Sequence, residues 1–165
     1  MTRLRTAPRI HGMPEPQQAP KQIKPKGLAD YLEVMTKAVF QSGMSWAVIE
    51  AKWDGFQKAF KGFEPEKIAR FGPDDVDRLA QDKAIIRNRK KIEATIDNAV
   101  EIQALAEEHG GDFRKYLRSH GGFEETVADL RRHFRFLGDF GAYYFLYVVG
   151  EQVPPHDEWR ASRKG

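Results

Sequence analysis

Tyr143-Tyr-Phe-Leu-Tyr-Val-Val149 (YYFLYVV) is the stretch whose reading decides the fold class. Its side chains are all aromatic, aliphatic or β-branched, which suits a strand buried on both faces. Read together with Asp139 and Phe140, the same run suits a helix from Asp139 to Val149. A continuous apolar run has no period, so periodicity does not separate the two readings. The rest of the chain does. No other segment alternates convincingly between polar and apolar residues, so a strand here would have no partner for its backbone hydrogen bonds. We read the run as helix and the chain as all-α.

Working outward, Phe123, Val127, Leu130 and Phe134 recur at helical spacing just upstream. Between that helix and the next lies Phe134-Arg-Phe-Leu-Gly138, followed by Asp139, Phe140 and Gly141. The pattern is helix, tight connector, helix, with Asp139 as the expected N-cap of the second helix. Gly138 and Gly141 allow close approach of a backbone or a phosphate. Arg131, Arg132 and Arg135 add positive charge on the entering side. Such a corner grips a nucleic-acid strand through its amides and the helix dipole, or is simply a helical corner.

Upstream again, Asn88 is placed to cap a long helix carrying Ile92, Ile96, Ala99 and Val100, ended by Gly110-Gly111. A short helix over Asp112–Ser119 follows. The connector before Asn88 belongs to Gln81–Ile92 (QDKAIIRNRKKI), where Arg87, Arg89, Lys90 and Lys91 crowd a helix start. That arrangement binds phosphate, or it is a solvated charged face. Leu28, Tyr31, Leu32, Met35 and Val39 mark the first helix, closed by Gly43. Ser45 is the expected N-cap of a second, on which Trp46, Ile49, Trp53, Phe56 and Phe60 form a wide aromatic face. Trp46 stacks a planar ligand from that position, or it merely opens the core stripe. Short helices over Glu66–Phe71, after Pro65, and Asp74–Ala80 complete the middle of the chain.

The bulk numbers bound the function. At 165 residues, 41% hydrophobic and 31% charged, the chain suits one domain over residues 27–165. Cysteine is absent, which excludes disulfides and thiolate metal sites. No apolar stretch reaches the roughly 20 residues of a membrane span, and no apolar segment follows the N-terminal arginines as it would in a secretory signal. A cytoplasmic monomer without cofactor, metal or membrane partner is the expectation. Of the net charge of +3, residues 1–26 carry +5 and the remainder −2. Five prolines lie in that first segment, which reads as an extended, mobile, basic arm. Any nucleic-acid role therefore needs local basic faces rather than a global field.

Three segments together resemble one family. Gln41-Ser-Gly-Met-Ser-Trp46 resembles the QxGxSW segment of bacterial 3-methyladenine DNA glycosylase I, and AIIRNRKKI within Gln81–Ala99 resembles its GIIRHRxKI segment. Phe134–Gly138, with Tyr143, Phe145 and Gly150, resembles its helix-hairpin-helix. The order and spacings match over roughly residues 28–156. The resemblance implies a compact helical bundle with a helix-hairpin-helix DNA-binding element. It also implies an enzyme that flips a damaged nucleotide out of duplex DNA and hydrolyses the bond between base and sugar. Trp46 would line the base pocket, with Gln41, Ser45 and Tyr144 as its neighbours. Arg87, Arg89, Lys90, Arg135, Gly138 and Gly141 would hold the DNA backbone. The family's base-contacting glutamate falls at Ala38, and its N-terminal tyrosines and tryptophan give way to the proline-rich arm. Its zinc site takes Cys and His from both termini. Only His156 falls close to such a position here, and alone it binds no metal. Asp157, seven residues after Gly150, stands about where many relatives in the wider superfamily place a catalytic aspartate. It is the candidate catalytic carboxylate, or else a first-turn acid of a helix starting at PPHDEW, with His156 or Asp157 as cap. The alternative readings are a helix-hairpin-helix module that binds DNA without chemistry, and a helical protein with another partner in its aromatic cleft.

Overall fold

The computed structural model describes residues 19–163. They form nine α-helices and no strand: α1 Leu28–Gln41, α2 Trp46–Ala59, α3 Pro65–Ala69, α4 Pro73–Leu79, α5 Arg89–Glu107, α6 Phe113–Leu117, α7 Phe123–His133, α8 Asp139–Val148 and α9 His156–Ser162. YYFLYVV is thus helical. Its lack of period has a plain cause: Ala142 to Leu146 and Val148 are all buried, so α8 is covered on most of its sides and has little polar face to show. α1 is buried just as widely, from Tyr31 through Gln41 apart from Glu33 and Lys37. These two helices pack on each other, with α2, α3 and α5 against α1, α7 against α8, and α4 and α6 against α5. Between α1 and α8, a β-carbon on Gly141 would lie 3.6 Å from that of Ala38 and 3.2 Å from the Leu137 side chain, so the bare glycine lets the helices close up.

The aromatic face of α2 is core. Trp53 stacks on Phe56 at 4.8 Å and on Phe63 at 5.4 Å, and Phe60 stacks on Phe63 at 5.7 Å. Phe63 arrives from a 3-10 turn over Lys61–Phe63, which spacing did not anticipate. Gly55, on the opposite face of α2, is packed against the main chain of the α4–α5 connector: a β-carbon there would sit 2.3 Å from the Ala84 carbonyl oxygen.

Several helix starts differ from expectation. Asn88 does cap α5, its side-chain oxygen accepting the Lys91 N–H at 3.0 Å. Ser45 occupies the N-cap position of α2, but its hydroxyl makes no capping bond. Asp139 is not the cap of α8. Gly138 holds that place, and Asp139 lies in the first turn, paired with Arg131 at 2.8 Å and Arg163 at 3.3 Å. Pro155 rather than His156 or Asp157 caps α9. Residues 19–26 are extended but lie on the fold: the Ile23 N–H donates to the Val148 carbonyl at 2.7 Å, at the end of α8. The rest of the basic arm lies outside the described residues.

Candidate nucleic-acid interface and base site

Two turns face each other across an open groove of about 650 Å³. On one side Ser42 represents the α1–α2 turn. On the other stand Phe134, Phe136, Leu137 and Gly138 of the α7–α8 turn, with Arg131 and Arg132 above them. Segments some 90 residues apart in sequence thus share one surface, and α5 brings them there.

Lys91 and Asn98 do the joining. The Lys91 ammonium donates to the Ser42 carbonyl at 2.6 Å and to the Phe40 carbonyl at 3.3 Å, closing the C-terminal end of α1 where the helix dipole favours a cation. Burial holds its pKa below the ordinary lysine value. Gly43, at φ +77°, completes the turn that this lysine fastens. Seven residues on, about 10 Å along the same face of α5, Asn98 grips the other turn at two points. Its amide donates to the Arg135 carbonyl at 3.2 Å, and its oxygen accepts the Arg135 N–H at 2.9 Å. Sequence reasoning placed Lys91 in a basic cluster and passed over Asn98. The available signal was a buried-register amide one heptad beyond the lysine.

Trp46 begins α2, four residues after Ser42. It is half-buried, so the indole is not sealed inside the core. Its ring meets Tyr144 edge-on at 5.1 Å. Lys37 places its ammonium 5.8 Å from the Trp46 ring centroid and 5.1 Å from that of Trp53, and pairs with Glu50 at 2.8 Å. Glu33 accepts hydrogen bonds from Trp53 Nε1 and Gln57 Nε2, both at 2.8 Å. Burial, then the charges of Glu50 and Glu33, push the Tyr144 hydroxyl far above its ordinary pKa. The corner therefore holds two aromatic rings with two carboxylates and one ammonium around them. Gln41 is buried at the end of α1, whereas Ser45 is exposed.

The structure does not bring Asp157 to this corner. Asp157 is exposed at the start of α9, and its charge reaches Tyr143, whose hydroxyl is pushed up to about 12 first by burial, then by Tyr147 and Asp157. Tyr143 stacks on Trp159 at 4.6 Å, and its hydroxyl donates to the Pro154 carbonyl. By helical geometry, Tyr143 points nearly opposite to Gly141, which faces α1, while Tyr144 points to within about 60° of it. Asp157 and Trp46 thus lie on different sides of α8.

The basic residues are less free than their sequence suggests. Arg89 pairs with Asp77 at 2.8 Å, Arg135 with Asp97 at 2.5 Å, and Arg132 with Asp129. Arg87 and Lys90 are exposed beside the start of α5. The first two pairs are exposed on both sides and contribute only about 0–1 kcal/mol, so Arg89 and Arg135 can share their donors with a phosphate. Behind Arg132, Asp129 also accepts the Tyr116 hydroxyl at 2.7 Å and His120 Nε2 at 3.0 Å, which ties α6 to α7. His156 does not fit a zinc site. Its ring lies against Tyr143 at 4.9 Å, the chain has no cysteine, and among the described residues no three His, Asp or Glu side chains are grouped to hold a metal.

Known proteins place this architecture. The profile of the methyladenine glycosylase family matches residues 26–137. DNA-3-methyladenine glycosylase of Haemophilus influenzae is 30% identical over 131 residues, covering 67% of this chain and 70% of that protein. DNA-3-methyladenine glycosylase 1 of Escherichia coli is 29% identical over 131 residues with the same coverage. Among solved structures, 3-methyladenine DNA glycosylase I from Staphylococcus aureus superposes with a TM-score of 0.69 at 25% identity, covering 79% of this chain and 80% of that one. The chain, helical and without a strand over its described residues, belongs to the methyladenine glycosylase family.

Proposed function

We propose that this protein is a DNA glycosylase that hydrolyses the N-glycosidic bond of an alkylated purine, of the 3-methyladenine kind, turned out of duplex DNA. The observation that carries this is the groove between the α1–α2 and α7–α8 turns, fastened on both sides to α5, in a chain of this family. In this reading α7, the turn Phe134–Gly138 and α8 are the helix-hairpin-helix. Amides at Gly138 and Gly141 with Arg135 hold one phosphate run, and Arg87, Arg89 and Lys90 at the start of α5 hold another. The extruded base stacks on Trp46, backed by Tyr144 and bounded by Gln41 and Ser45.

The chemistry asks little of a proton donor. An N3-alkylated adenine carries a positive charge and leaves as a neutral base when the bond to C1′ breaks. Water adds to C1′ and releases one proton to solvent. What helps is a negative field near the base and a fixed orientation. Ala38 supplies neither. Glu33 and Glu50 outweigh Lys37 by one charge around the Trp46–Tyr144 corner and supply the field instead. In this reading Asp157, exposed at the start of α9, is an accessory carboxylate rather than the group on which hydrolysis depends.

The test is release of free base from methylated duplex DNA by the purified protein, repeated with Trp46→Ala. Base release that falls by at least about tenfold in the variant supports the reading. No release from any alkylated duplex refutes the enzymatic claim. Ala38 favours one second reading, a DNA-binding module without turnover. It predicts salt-sensitive duplex binding, weakened by changing Arg87, Arg89 or Arg135, with no base released.

A further inference from the structure

Phe136 is out of place as a structural residue. It is 44% exposed, although it is a large aromatic side chain in a protein that buries most of its phenylalanines. Its backbone sits at φ +60°, a conformation that suits glycine and strains a residue with a β-carbon. Such strain persists only where the surroundings fix the chain on either side. Here they do. Asn98 holds both the N–H and the carbonyl of Arg135, the residue before. Leu137, the residue after, is buried in the core. The chain between them must turn through the left-handed region, and the turn holds the ring out into the groove. Neither burial nor backbone ease explains a phenylalanine here, since glycine or asparagine would make the same turn without strain.

The surroundings of the ring indicate what it touches. Arg131 and Arg132 line the same groove, Arg135 is adjacent, and the guanidinium-bearing side chains of all three are more than half exposed. An apolar ring among cations suits a ligand that alternates anionic groups with apolar ones at short range. A DNA strand does so, because each phosphate is followed within one residue's reach by a deoxyribose whose C–H face is apolar and lacks a 2′-hydroxyl. We propose that Phe136 packs its ring on a deoxyribose of the strand held by this turn, with Asn98 as the positioning residue that keeps the ring presented. The inference rests on the DNA-binding reading above, but not on catalysis.

The experiment measures duplex DNA binding by the full chain over a series of salt concentrations, for the wild type, Phe136→Gly and Phe136→Tyr. Glycine relaxes the strained turn, so the variant keeps its fold, and its circular dichroism and thermal melt verify that. The expected result is an affinity about tenfold lower for Phe136→Gly at every salt concentration, with the slope of log K against log salt unchanged, because no phosphate contact is lost. Phe136→Tyr retains wild-type affinity. Wild-type affinity in Phe136→Gly overturns the proposal. So does a loss of slope together with affinity, which would mean that Phe136 only shapes the phosphate-binding turn. A wild type that binds no duplex even at low salt overturns the DNA-binding reading itself, and the proposal with it, whereas an unaffected variant overturns the Phe136 assignment alone.

Discussion

The α1–α2 turn and the α7–α8 turn face each other across one groove and hang from the same helix, yet they are fastened by opposite chemistry. Lys91 holds the first with a buried ammonium that reaches the carbonyl of Ser42 and, more loosely, that of Phe40. Asn98 holds the second with a neutral amide whose donor and acceptor clasp a single residue, Arg135. The ammonium loses hydration on burial and recovers it only in part from two carbonyls. The amide matches its target with no charge to desolvate. In the proposed reading, the first turn presents Trp46 for a base and the second presents cations and Phe136 for a strand. The difference teaches that the two rims are held by separate anchors seven residues apart on α5, so each rim can be loosened separately.

The largest effect is expected from breaking the neutral clasp. Asn98→Ala leaves the Arg135 N–H and carbonyl without their partner and costs about 2–4 kcal/mol in urea unfolding. Asp129→Asn, which loosens the helix leading into the same turn, costs about 2 kcal/mol. It also changes the acid limb. Burial raises the Asp129 carboxyl, but hydrogen bonds from Tyr116 and His120 and the charges of His133 and Arg132 more than offset that and hold it below 3.8. A depressed carboxylate stabilises the fold above its unfolded pKa, and that stability is lost as pH falls through the folded one. The wild type should therefore lose stability below about pH 4, and the variant should show a shallower acid limb over that window.

Lys91→Met should cost less, about 1–2 kcal/mol, because losing two hydrogen bonds is offset by removing a desolvated charge. Its signature is alkaline. The folded pKa of Lys91 lies below 10.5, so the unfolded chain binds more protons between the two values, and wild-type stability rises with pH there relative to the variant. Equal pH profiles for the two proteins would show that the ammonium is not desolvated. The smallest effect belongs to Asp157→Asn, which should alter base release by less than about threefold, because its carboxylate lies on the Tyr143 side of α8. A large loss would relocate the chemistry to α9.

Much of the architecture was legible in the residues. Steps of three and four from Leu28 to Val39 and from Trp46 to Phe60 place α1 and α2, and Asn88 marks the start of α5 where its side chain does cap it. Cap identities at α8 and α9 were not legible, because Asp139 is drawn off by Arg131 and Arg163, partners distant in sequence. The aromatic corner at Trp46 could be named, but not the ammonium and carboxylates around it. Lys37, Glu33 and Glu50 look like an ordinary solvated face until α1 and α2 are packed together. The basic residues were visible and their acidic partners were not.

By itself the sequence determined an all-helical chain, the placing of its longer helices, and the three segments that resemble the methyladenine glycosylase family. Those follow from local periodicity, turn chemistry and residue type, which neighbours along the chain express without help. Only the tertiary structure decided that Lys91 and Asn98 suspend two distant turns over one groove, that Asp157 stands apart from Trp46, and that Phe136 is held out in a strained turn. Each depends on which side chain meets which backbone across the bundle. Hydrogen-bond geometry and helix crossing fix that at distances the chain order does not record.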